Sequence, residues 1–339
     1  MSKNICCLLS GLIALIPFLF TGFVEAQFKP LELTYSHFMP ATHGHAVLSQ
    51  EWAKEVEKRT NGAVKVNLFP GATLTPAHQA YDGVVKGISD LAFVVLSYTA
   101  GRFPLTEVID MPLGYKSGLQ ATRLVNAYFQ KFHPKEFDDT QVMYLHAHGP
   151  GILHTKKPVA KLEDLKGLKI RCTGTSAKLV THLGGAPVAI PMPEAYDALS
   201  KGVADGIMAP IESLKGWKFA EVIKSTTLNY GSAYSIAFAV IMNKQKWAAL
   251  PKEVQATIQK VNEEWIEKSG KAWDDFDKAG TETTKAKGNQ IISLSKQEDE
   301  RWAKLVQPIL SEYVQSMKGK GLPGEEALKF CEDWLKKNP

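Results

Sequence analysis

The chain has 339 residues and is nearly charge-balanced, with 40 Lys and Arg against 35 Asp and Glu and a formal net charge of +5. No block of like charge stands out, which argues against a nucleic-acid partner. The length suffices for two domains, and four cysteines, two of them inside the first apolar stretch, are too few for a disulfide framework.

Residues 1–26 read as a secretory signal peptide: Lys3 supplies a positive start, Ile5 to Val24 is mostly apolar, and Val24-Glu25-Ala26 offers a small-residue cleavage site. Cys6 and Cys7 lie within the apolar run rather than just after it, which disfavours a lipid-anchored cysteine. The late apolar run "IAFAVIM" at 236–242 is far too short to cross a bilayer. The expectation is an exported, soluble protein with no stable membrane insertion once the signal is cleaved. Of the two remaining cysteines, Cys172 and Cys331, a disulfide is one reading and two buried free thiols the favoured one.

"LELTYSHF" (31–38) reads as a strand, followed by a helix over about 43–60 with Leu48, Trp52 and Val56 on one face and a stop at "TNG" (60–62). "VKVNLFPG" (64–71) alternates as a strand and ends at Pro-Gly, and a helix over about 76–88 leads to "LAFVVLSYT" (91–99), apolar on both faces like a buried central strand. This β-α-β-α-β order predicts a mostly parallel sheet. "QVMYLHAHG" (141–149) is a strand leading away. A second α/β unit then follows: the strand around 168–172, a helix near 175–184, an extended "APVAIPM" (186–192), the helix opened by Pro193, and "VADGIMA" (203–209). A β-rich return spans 226–243. A helical period carried by Val254, Ile258, Val261, Trp265 and Trp273 then runs over 250–280, longer than an ordinary globular helix. Two α/β units with a long helix along both predict a hinged, two-lobed body.

Within "DLKGLKIRCT" (164–173), Leu168, Ile170 and Cys172 alternate with Lys169 and Arg171, the period of a strand with one buried face. Ligands of open α/β sheets bind beyond the carboxyl ends of strands, and Arg171 sits at such an end with a planar fork matched to a carboxylate. A surface or structural arginine is the alternative. The pairs His43/His45 and His146/His148 have a spacing at which two imidazoles share a strand face. No acid or cysteine at a familiar spacing completes a metal site, so no metal and no cofactor are expected. Nucleophile elbows, P-loops and dinucleotide fingerprints are absent from the sequence. Tyr196, Trp217 and Tyr230 are assigned to the core, whereas His37, Phe38, Tyr98 and Tyr234 are placed to line a cleft between the lobes.

Several segments together resemble the periplasmic solute-binding subunit of a tripartite ATP-independent periplasmic (TRAP) transporter, of the dicarboxylate-binding-protein type. They are "EWAKEVEKRTNGAVKVNLFPGATL" (51–74), "DLKGLKIR" (164–171), "PEAYDALSKGVADG" (193–206), "WKFAEV" (217–222) and "GEEALKF" (324–330). The resemblance implies an α/β, two-lobed periplasmic binding protein fold with a hinge-closing cleft and a long helix bracing both lobes. Domain I is then 27–148 with 237–280, and domain II is 149–236 with 281–339. It also implies capture of a small organic acid, handed to the membrane permease subunits, with Arg171 gripping the carboxylate. Ile207-Met208-Ala209-Pro210 stands where relatives carry Gln-Glu-Asn-Pro, Gly151 where some carry a second arginine, and Met192 where an aromatic often stacks on substrate. These losses of polar partners point to a monocarboxylate with an apolar or aromatic body, bound by Arg171, Met192, Ala209, His37, Phe38, Tyr98 and Tyr234. A binding protein rather than an enzyme is expected. The rival readings are an exported metal-dependent enzyme using His146 and His148, and a ligand sensor acting on small organic acids.

Overall fold

The computed structural model describes residues 30–339, so the expected signal peptide, with Cys6 and Cys7, lies outside the described residues. The chain opens with β1 (Leu31–His37) and α1 (Gly44–Arg59), whose N-cap His43 accepts the His45 N–H on its side chain. α1 ends where Asn61 and Gly62 turn left-handed, at φ 51° and 78°. β2 (Val64–Phe69) follows. The helix expected over 76–88 is a 3₁₀ turn at Ala77–Gln79 and then a short α2 (Ala80–Val85). β3 (Leu91–Val95) is buried throughout, and the rest of the apolar run coils into a 3₁₀ turn ending at Tyr98.

α3 (Gly118–Phe132), capped by Ser117, was not anticipated; its buried Ala121, Leu124, Val125 and Tyr128 recur at helical spacing, with Gln120 and Thr122 buried beside them. β4 (Thr140–Ala147) then runs to the first crossing. The second unit comprises β5 (Gly151–Thr155), α4 (Leu162–Leu165), β6 (Lys169–Cys172), α5 (Thr175–His182), β7 (Ala186–Ala189), α6 (Met192–Ser200), β8 (Gly206–Pro210), α7 (Ser213–Gly216) and β9 (Ser225–Leu228). The return strand β10 (Ala237–Asn243) leads through α8 (Lys244–Ala249) into α9 (Lys252–Ala286), and β11 (Gln290–Ser293), α10 (Lys296–Val306), α11 (Pro308–Gly319) and α12 (Gly324–Lys337) complete the chain.

Two sheets result, ordered β2-β1-β3-β10-β4 and β11-β9-β5-β8-β6-β7. Both are mixed rather than mostly parallel, for one reason. β10 enters the first sheet from the crossing and runs antiparallel to β3 and β4, and β5 enters the second and runs antiparallel to β8 and β9. The remaining pairs are parallel. The segment read as one β-rich return is thus shared between the sheets, β9 in the second and β10 in the first. The two crossings touch, because the Gly151 N–H donates to the Tyr234 carbonyl at 2.7 Å.

α9 has 35 residues, a rod of about 52 Å at 1.5 Å per residue. Its Asn262 accepts from the Trp52 indole, and its Trp265 and Trp273 indoles donate to the Leu48 carbonyl and to His146 Nδ1, all beside the first sheet. At its other end Gly280 lies against Ile211, where any Cβ would meet the backbone carbonyl. α10 sits by the second sheet, with Asp299 accepting the Gly231 N–H. α12 returns to pack on α3, and the Gln120 side chain donates to the Asn338 carbonyl.

Candidate functional site

The carboxyl ends of β3, β6 and β8 converge between the sheets on a narrow cavity with about 40 Å³ of free space. Phe38 and Tyr98 line it from the first-sheet side, and Arg171, Met192, Ala209 and Tyr234 from the second. His37 does not line it. It is fully buried, its Nδ1 accepts the Met39 N–H at 3.2 Å, and its ring packs on Phe93 at 4.3 Å. Successive residues of an extended segment point to opposite sides, so Phe38 facing the cavity leaves His37 behind it.

Arg171 is 4% exposed, so the face of β6 expected to meet water is covered instead by the other lobe. Its Nε donates to the Ile190 carbonyl at 2.8 Å, and its Nη2 lies 3.5 Å from the Tyr98 hydroxyl. No carboxylate pairs with it among the described residues. The same Tyr98 hydroxyl accepts the Met192 N–H at 2.9 Å, at the start of α6.

The cavity wall is largely aromatic. Trp217, assigned to the core from sequence, is half-exposed and stacks on Phe38 across the two lobes, with ring centroids 6.3 Å apart and 17° between planes. Phe38 also meets Tyr98 at 6.0 Å. Tyr234 donates to the Met208 carbonyl at 3.0 Å, and its ring occupies the space a side chain at Gly151 would need: a Cβ there would lie 2.3 Å from it. An arginine at 151 is therefore incompatible with this packing.

Glu212, just past the end of β8, also lines the cavity and is 3% exposed. His43 Nε2 approaches its carboxylate at 3.3 Å, and its backbone N–H donates to Asp277 Oδ1 at 3.0 Å. Burial first, and then the neighbouring Glu212, push the Asp277 carboxyl up to about 8. Sequence reasoning passed over Glu212 and assigned Trp217 to the core; the only local signals were an acid just after a strand end and the "WKFAEV" segment.

The two His-x-His pairs do meet, with His45 stacked on His146 at 5.0 Å, but inside an aromatic cluster with Phe93, Phe238 and Trp273. His146 Nδ1 accepts from Trp273, which leaves its proton on Nε2. Burial holds His146 at about 3 and His148 at about 4, so both rings are neutral. Among the described residues no group of three His, Cys, Asp or Glu is arranged to hold a metal ion. Cys172 and Cys331 are buried free thiols, and burial raises Cys172 to about 11.

Beyond Tyr98 the cavity gives way to an open groove of about 400 Å³ between residues 96–110 and 173–191. Thr175 donates across it to Glu107 at 2.9 Å, and a Cβ at Gly174 would lie 2.6 Å from the Ser97 side chain. With Tyr98–Met192 and His43–Glu212, these contacts hold the lobes together over the cavity.

A family profile, DctP, bacterial extracellular solute-binding protein family 7, matches residues 35–316. Among solved structures, a TRAP solute-binding protein from a marine metagenome, described as specific for aromatic acid ligands and bound to metahydroxyphenylacetate, is 29% identical. The match covers 91% of this chain and 99% of that one, with a TM-score of 0.87. A Bordetella bronchiseptica protein with bound mandelate is 32% identical over 91% of this chain and 100% of its own, with a TM-score of 0.85. A Rhodoferax ferrireducens protein with copurified benzoate is 30% identical over 91% and 98%, with a TM-score of 0.84.

Proposed function

Because the chain belongs to family 7 of the bacterial extracellular solute-binding proteins, as a TRAP-type solute-binding subunit, we propose that its ligand is an aromatic monocarboxylate. The observation that carries this reading is Arg171, the one Lys or Arg lining the cavity among the described residues, buried without an acid amid an aromatic wall. A buried unpaired guanidinium is costly, and a ligand carboxylate supplies the missing charge through two parallel hydrogen bonds. Phe38, Tyr98 and Trp217 then pack on the ring, Met192 and Ala209 provide apolar wall, and Tyr234 closes the space beside Gly151. His37 acts only by backing Phe38, on which it stacks at 6.2 Å. A C4-dicarboxylate would bring a second carboxylate into a cavity whose other charged wall is Glu212.

The lobes, 27–148 with 237–280 and 149–236 with 281–306, close about the touching crossings, and the expected place of 307–339 in the second lobe gives way to α11 and α12 packed on the first. A fall in radius of gyration on ligand saturation tests that motion. In the periplasm, after removal of the signal segment, the closed form would dock on the membrane permease. The ligand reading is tested by calorimetry and thermal shift with benzoate, mandelate and 3-hydroxyphenylacetate against succinate and malate. An aromatic acid at 100 times its Kd should stabilise the fold by about 2.7 kcal/mol. Tighter binding of succinate or malate than of every aromatic acid would overturn it.

A further inference from the structure

Glu212 is more than nine-tenths buried, lines the cavity, and accepts no hydrogen bond on its carboxylate from any described residue. The nearest cationic or donor group to its carboxylate among the described residues is His43 Nε2, 3.3 Å from a single oxygen, Oε2, and the Asp277 carboxyl lies on its backbone side. His43 Nδ1 is already engaged, accepting the His45 N–H at 3.2 Å. A desolvated carboxylate without donors is expensive, and the open side of this one is the cavity itself. Arg171 pairs in register with Ile207 on β8, and Glu212 follows the end of that strand at Pro210. At a rise of about 3.3 Å per residue, residue 210 lies about 10 Å along the strand from Ile207. The cavity thus has a cation and an acceptor carried on well-separated backbone positions of one sheet, with Phe38 and Trp217 stacked beside it.

We propose that Glu212 is a specificity residue whose carboxylate accepts a hydrogen bond from a hydroxyl group on the ring of the bound acid. The protein thereby selects ring-hydroxylated aromatic monocarboxylates over their unsubstituted parents. This rests on the aromatic-acid reading of the cavity. Arg171 fixes the carboxylate, and the ring hydroxyl reaches Oε1 of Glu212, the oxygen that His43 does not face. An acid without the hydroxyl leaves that oxygen unpaired in the closed cavity.

The test is titration calorimetry with two matched pairs, benzoate against 3-hydroxybenzoate and phenylacetate against 3-hydroxyphenylacetate, on the wild type, Glu212→Leu and Glu212→Gln. The wild type is expected to bind the hydroxylated member at least tenfold more tightly in one pair or both. In Glu212→Leu that ratio falls to within about twofold, whatever happens to either affinity alone. A purely structural role, through the His43 contact between lobes, would weaken both members equally and leave the ratio intact. Glu212→Gln keeps the packing but not the charge and should lose at least threefold of the ratio, which decides the matter if the leucine variant does not fold. A wild-type ratio near one, or a ratio that survives both substitutions, overturns the role of Glu212 and leaves the aromatic-acid reading standing. If the wild type binds none of the four acids, both fall.

Discussion

Replacing Arg171 separates its binding role from any role in the fold. One of its donors is spent on the Ile190 carbonyl at 2.8 Å and Nη2 rests weakly on Tyr98 at 3.5 Å, which leaves the terminal nitrogens free for a carboxylate. Arg171→Ala removes a desolvated, charge-assisted contact, a loss of about 2–5 kcal/mol, or about 30-fold to several thousandfold in Kd. Arg171→Lys keeps a charge but loses the planar fork and the bond to Ile190, and should cost about 1.5–3 kcal/mol, on the order of 10- to 150-fold. The fold itself should scarcely notice. No acid is orphaned, and one lost hydrogen bond worth about 1 kcal/mol is offset by relief of a buried cation. The ligand-free Tm should stay within about 4 °C. Calorimetry on both variants against the best aromatic acid, with thermal unfolding of the ligand-free proteins, gives all four quantities. An alanine variant within threefold of wild-type affinity would falsify the carboxylate grip. A collapse of the ligand-free Tm would show instead that Arg171 is a structural residue.

Tyr98→Phe removes the acceptor that ties the Met192 N–H and Arg171 to the other lobe; about tenfold weaker binding with an unchanged ligand-free Tm is expected, and equal affinity would rule out that tie. Gly151→Ala places a Cβ 2.3 Å from the buried Tyr234 ring, so overpacking of about 1–3 kcal/mol should lower the Tm by about 2–12 °C; an unaltered melt would mean the ring can step aside. Stability should also depend on pH in two opposing ways. His146 at about 3, and His148 and His154 at about 4, stay neutral in the fold, while the unfolded chain binds protons below 6.5. Their contribution is complete above 6.5 and is lost as pH falls towards 4. Asp277, raised to about 8, keeps its proton in the fold while the unfolded chain ionises from about 4 upwards, so its effect is to lower stability as pH rises to about 8. Urea unfolding from pH 5 to 9 should therefore show a maximum near neutrality. Asp277→Asn should remove up to about 1.4 kcal/mol per pH unit from the slope between 6.5 and 8, and an unchanged slope there would contradict the buried, protonated carboxyl.

Arg171 was legible in the sequence because its signal is local. A two-residue period marks the strand, the strand ends at a helix start, and a permanent cation there needs a partner. The long helix was legible for the same reason, with Val254, Ile258, Val261, Trp265 and Trp273 keeping one face buried over many turns. α3 carried the same kind of local signal, with Ala121, Leu124, Val125 and Tyr128 at helical spacing, although no helix was expected there. His37 and Phe38 were both assigned to the cleft, although adjacent extended residues face opposite ways; which of them lines the cavity depended on the orientation of β1 in its sheet.

The antiparallel entry of β5 and β10, the stacking of Phe38 on Trp217, and the meeting of His43 with Glu212 each join segments far apart in the chain. Local pattern determined the strands, the helices, the candidate cation and the apolar character of its surroundings, because backbone sterics and one-sided burial act over a few residues. Only the tertiary structure decided which aromatics line the cavity, why Gly151 has no room for a side chain, and where the second polar wall lies. Those properties belong to the gap between two lobes, and neither lobe's sequence contains the other's surface.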